Sequence, residues 1–168
     1  EGTSLWILQT APISCRDIMR SKYRGAFLPC SLIAVVIFSS GACALGLEPL
    51  LVVTTSLIGI IITHGIVSLA LGLGASFARF DWEHPAQLTT SSGNLLFMIL
   101  GMCVLGITSV PLSVMFGAYM LFPATFQGET QGYLLMSSGL GLTLVIHGLT
   151  GWLALRRGSR TLKRLLES

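Results

Sequence analysis

Four stretches without a formal charge, Gly25–Leu47, Pro49–Ala78, Pro85–Gly128 and Thr130–Leu155, occupy most of this 168-residue chain. Each is at least as long as the run of about 20 apolar residues with which a helix crosses a bilayer. A helix at the surface of a soluble protein carries a polar face, and these windows offer none. A membrane barrel would alternate polar and apolar residues over segments of about 10, whereas these runs are continuously apolar. The expected fold class is therefore all-α: a polytopic membrane protein, a bundle of about four transmembrane helices with a short cytoplasmic N-terminal helix.

Charge placement sets the expected orientation. Arg16, Arg20, Lys22 and Arg24 precede the first window, Arg79 lies between the second and third, and Arg156, Arg157, Arg160, Lys163 and Arg164 follow the last, which accounts for all ten Lys and Arg. The connections at Glu48 and Glu129 carry no cation. Basic residues collect on the cytoplasmic side of a membrane, so four spans with both termini inside misplace none of them. The third window is long enough for two spans, with "TSVPLS" (108–113) as the turn, but that would put the five-cation tail outside. One span is preferred, and the spans are expected at about 25–45, 50–73, 93–115 and 133–155, between a cytoplasmic segment 1–24 and a basic tail 156–168. The leftover segment 116–128 is read as lying at the outer interface, through Tyr119, Phe122 and Phe126, or as dipping in as a re-entrant helix.

The polar island "ARFDWEHPAQ" (78–87) thus becomes the cytoplasmic link between the second and third spans. Pro85 suits the first position of a helix, and Asp81 and Glu83 would sit near its partly positive N-terminus. Upstream, Ser14 followed three residues later by Asp17 approximates a capping box, and Pro12 discourages an earlier start. Arg16, Arg20 and Arg24 then form a basic stripe at four-residue spacing, suited to anionic lipid headgroups or to an acidic partner.

The stretches "LWILQTAPISCRDIMRSKY" with the following "FLP", and "GLGASFARFDWEHPAQLTTSSGNLLFM", resemble the ABC type-2 exporter permease family. His84 stands where that family carries Asn before the Pro-Ala-Gln triplet. The resemblance implies the C-terminal portion of a transmembrane subunit of an ATP-driven exporter in a bacterial cytoplasmic membrane. It further implies docking on a separate ABC ATPase subunit through the cytoplasmic segments. The residues expected to couple to that partner are Pro12, Ser14, Arg16, Asp17, Arg20, Lys22, Arg79, Asp81, Glu83, Pro85 and Gln87. Membrane lipids and a second membrane subunit or second copy are the other expected partners; nucleic acid is not. The alternative is a structural or regulatory integral membrane protein without transport activity.

No GxxxxGK[ST] phosphate loop occurs, so nucleotide chemistry is expected on another chain. The glycines of "LGLGASF" (71–77) end an apolar span and do not join a strand to a helix. Cys15, Cys30, Cys43 and Cys103 fall at no metal-ligand spacing and read as small apolar residues. No catalytic residue, metal or cofactor is expected.

His64 and His147 each stand fourteen residues into an expected span of the same direction, so both should lie at similar depth. Ionisable residues there usually face a bundle interior or a cavity. Gly139, Thr143, His147 and Gly151 form one stripe, and Gly65, Ser68 and Gly72 another, of the small and hydroxyl-bearing kind that lets helices approach closely. His64, His147 and Thr143 are accordingly expected in helix packing or along a translocation path.

Overall fold

The computed structural model describes residues 14–77, 91–121 and 130–167. These form four helices, α1 (Cys15–Ala44), α2 (Pro49–Ser76), α3 (Ser92–Leu121) and α4 (Thr130–Glu167), with no strand among the described residues. All four are long and apolar enough to cross a membrane. The 28 residues of α2 extend about 42 Å at 1.5 Å per residue, well over the roughly 30 Å of a hydrocarbon core.

The helix ends follow local chemistry. Ser14 caps α1: its oxygen accepts the Asp17 backbone N–H at 3.2 Å, and its hydroxyl donates to the Asp17 carboxylate at 2.5 Å. From there α1 runs without a break through Gly25, so the basic segment is the first turns of the same helix that carries the apolar window. Arginine and lysine are good helix formers, and nothing in that segment stops the helix. At the other end Gly46 takes a φ of 66°. Its N–H bonds the Cys43 carbonyl and the Leu47 N–H bonds that of Ala42, the paired bonds of a Schellman motif. Pro49 at the first turn then opens α2, where its missing N–H costs nothing.

Among the described residues the third window holds a single helix. α3 passes through "TSVPLS" with Pro111 in its interior, and it continues beyond Met115 to Leu121. α4 likewise carries on through all five cations to Glu167. Residues 1–13, 78–90, 122–129 and 168 lie outside the description, and with them Pro12, Arg79, Asp81, Glu83, Pro85, Gln87 and most of the 116–128 segment.

Specific contacts give the topology. Gly65 meets His147, Gly151 meets Ser68, and Gly72 meets Ala154 and Gly158, so α2 and α4 run parallel. Tyr23 meets His64 and Phe38 meets Gly59, which makes α1 antiparallel to α2. Thr108 meets His147 and Met115 meets Gly139, which makes α3 antiparallel to α4. The chain is an up-down-up-down bundle in which the α2–α4 contact is the most extensive. The cations of α1 and α4 therefore share one end of the bundle.

Large apolar side chains face outward on α1 and α3, among them Leu32 (68 % exposed) and Met102 (73 %). A water-soluble monomer does not expose apolar surface on that scale, and in a bilayer the same side chains meet lipid tails.

Candidate functional site

Hydroxyl side chains in an apolar helix are usually satisfied by returning their proton to the preceding turn. Thr54, Thr63, Thr108, Thr143 and Thr150 all do so, each donating to the carbonyl four residues back. Among the described residues, two buried polar atoms, the Ser68 hydroxyl oxygen and His147 Nδ1, have no hydrogen-bond partner. Both belong to side chains that are fully buried, and they mark the centre of the polar cluster.

His147 sits on α4 with Nε2 3.1 Å from the Thr108 oxygen on α3. The single hydroxyl proton of Thr108 is committed to the Val104 carbonyl at 2.8 Å. The contact to His147 is therefore one in which the ring Nε2–H donates and Thr108 accepts, which leaves Nδ1 as a bare acceptor. That nitrogen lies where a Cβ on Gly65 of α2 would be, so the ring edge rests directly on the α2 backbone.

The opposing contact comes from α2. A Cβ on Gly151 of α4 would meet His64 Nε2 at 2.9 Å and the Ser68 hydroxyl at 3.1 Å. Each helix thus offers a glycine to the other's histidine. One level on, Gly72 lies against the Ala154 backbone, and Gly158 would place a Cβ 2.9 Å from Gly72 Cα. Backbones this close require residues without a side chain at the crossing.

His64 reaches the other way as well. Its Nδ1 is 2.6 Å from the Tyr23 hydroxyl of α1, and the rings of Tyr23 and Phe27 stand edge-on to the imidazole. Tyr23 and Phe27 stack on each other with centroids 5.2 Å apart. Thr143, fully buried one turn from His147, donates to the Gly139 carbonyl at 2.8 Å. A polar seam therefore links all four helices: Tyr23 to His64, His64 to the face of Gly151, His147 to the face of Gly65, and His147 to Thr108.

Of the residues singled out from sequence, His64, His147 and Thr143 lie on this seam. Ser14, Arg16, Asp17, Arg20 and Lys22 lie together at the start of α1, with the arginines exposed. Tyr23 and Thr108 were missed. Tyr23 reads as part of a basic segment, and Thr108 stands in a stretch that looks like a turn; hydropathy carries no sign of a partner on another helix. Among the described residues no group of three or more His, Cys, Asp or Glu could hold a metal. Cys30, Cys43 and Cys103 are free and exposed, and Cys15 is free and half-buried. The arrangement holds the helices together.

A family model described as "putative ATP-binding cassette" matches residues 1–166. The chain belongs to that family. No curated protein and no solved structure matches it. The match corrects two expectations drawn from sequence. The family is the ATP-binding cassette one, not the type-2 exporter permease family, and its description names nucleotide binding and not passage of a substrate. The expected function as a permease subunit of an exporter is overturned with it, and the match gives no support to the alternative of a purely structural or regulatory membrane protein.

Proposed function

We propose that this chain is the lipid-embedded helical part of an ATP-binding cassette system, and that its role is linked to the binding or hydrolysis of ATP. One observation carries the reading: the family match over residues 1–166 takes in all four apolar helices, so that the nucleotide-linked relationship and the bundle belong to one stretch of chain. A phosphate loop of the GxxxxGK[ST] kind is missing from the 168 residues, because Lys22 follows Ser21 and Lys163 follows Leu162. The reading therefore gives the ATP phosphates to a cassette ATPase that accompanies this chain, with membrane lipids and a second copy as its other partners. The shared basic end faces the cytoplasm in this reading, as cations on short connections do.

The test is to isolate the tagged chain from native membranes under mild extraction and irradiate it with a photoreactive ATP analogue. The expected result is ATP hydrolysis in the eluate, with the analogue attached to a polypeptide that accompanies the chain. Attachment to the chain itself would move the nucleotide site into these residues. An eluate with neither hydrolysis nor any labelled polypeptide contradicts the proposal.

A further inference from the structure

The Tyr23–His64 hydrogen bond fixes how deep α1 sits. Tyr23 is level with His64, and His64 lies near the middle of α2 (Pro49–Ser76). Arg16 is only seven residues before Tyr23, which is about 10 Å along the helix. From His64, α2 continues for twelve residues to Ser76, about 18 Å in the same direction. Arg16 and Arg20 are therefore level with the apolar half of α2 between His64 and Leu71, short of its end, and Arg24, one residue after Tyr23, is level with His64 itself.

On α4 the cations begin at about the depth of Arg16 and continue outward. Arg156 is nine residues beyond His147, about 14 Å, close to the roughly 15 Å half-thickness of a hydrocarbon core. Arg157, Arg160 and Arg164 lie further out still. Trp152, 54 % exposed, has the Arg156 guanidinium 4.8 Å from its ring centroid. In a bilayer that fits α2 and α4, Arg20 and Arg24 are below the headgroup plane and Arg16 is at its edge, all three with exposed side chains repeating every four residues.

Charged side chains at that depth are tolerated where lipid headgroups and water are drawn inward to meet them. We propose that the basic half of α1 is a binding site for the phosphate headgroups of anionic phospholipids, which thin the bilayer locally along this helix. The occupant is lipid because the site lies beside the apolar flank of the bundle, at a depth reached by a lipid of the adjoining leaflet, and because three exposed guanidiniums complement phosphate oxygens. This inference goes beyond the ATP-linked role and does not depend on it.

The experiment uses the full chain in nanodiscs of phosphatidylcholine with a minority of phosphatidylglycerol, with retained lipid counted after detergent extraction. Wild-type protein is compared with R16Q/R20Q/R24Q on α1 and with R157Q/R160Q/R164Q on α4. Wild type should retain phosphatidylglycerol in preference to phosphatidylcholine, the α1 variant should lose that preference about fivefold or more, and the α4 variant less than about twofold. Inorganic phosphate should not displace the lipid. Equal loss in both variants, displacement by inorganic phosphate, or an α1 variant that retains lipid like wild type while losing an accompanying protein would each overturn the proposal. Should the α1 variant fold poorly, spin-labelled lipids beside the wild-type protein decide the matter. A larger immobilised fraction for phosphatidylglycerol than for phosphatidylcholine is expected, and equal fractions overturn it.

Discussion

The α2–α4 pair and the two outer helices are built on different principles. α2 and α4 meet backbone to backbone, with Gly65, Gly72, Gly151 and Gly158 at the crossing and two histidines laid on opposing glycines. α1 and α3 mostly face outward, and each meets a histidine of the pair in a side-chain hydrogen bond, Tyr23 with His64 and Thr108 with His147. Between helices in lipid there is no hydrophobic driving force of the kind water supplies, so close packing and a few hydrogen bonds decide which helices associate. The pair should therefore behave as a rigid unit, and the outer helices as elements that can shift when a tie is lost.

Adding a methyl group at the crossing is the harshest way to break that distinction. Gly72→Ala puts a Cβ into the backbone at Ala154, which cannot rotate away, and Gly65→Ala puts one into the His147 ring. Each should cost about 2–3 kcal/mol, read as loss of folded protein in reversible unfolding from mixed micelles. Thr108→Val removes the acceptor of the buried His147 Nε2–H and should cost about 1–2 kcal/mol. Its effect should be largely absent when His147 is already Leu, which a double-mutant cycle reads directly. Tyr23→Phe loses the part-buried bond to His64 and should cost about 0.6 kcal/mol, the usual worth of a hydrogen bond between membrane helices. Its clearer sign is faster hydrogen exchange or proteolysis of α1 with α2 and α4 unchanged. Gly106→Ala on α3, where a Cβ meets nothing, should be neutral or stabilise by up to about 1 kcal/mol through helix propensity. A cost there equal to that at Gly72 would mean the outer helices are packed as tightly as the inner pair.

How much of this could be read from the amino acids differs along the chain. The four spans are visible because lipid forbids charge over a helix's crossing length, and the windows Gly25–Leu47 and Thr130–Leu155 mark two of them directly. The helix ends are not visible in that way. Charge ends a span but not a helix, so α1 starts at Cys15, ten residues before its apolar window, and α4 runs on through Arg164 to Glu167. Pro111 looks like punctuation, yet α3 passes through it. His64 and His147 stand out as ionisable residues among apolar ones, and the small-residue stripes around them name the faces that meet. Tyr23 and Thr108 could not be found so, because both owe their place to the register between helices, which no single helix encodes.

Disulfide cross-linking in native membranes tests the central claim, a parallel α2–α4 pair with the polar seam at its crossing. With Cys15, Cys30, Cys43 and Cys103 replaced by Ser, cysteines are placed as the pair Ser68→Cys with Gly151→Cys. In the structure a Cβ on Gly151 lies 3.2 Å from the Ser68 Cβ, near the range a disulfide spans, and the control pair is Ser68→Cys with Gly139→Cys, about 18 Å away along α4. Rapid oxidation of the first pair and none of the control is the predicted result. Oxidation of the control pair with the first left reduced would contradict the parallel arrangement on which the seam depends.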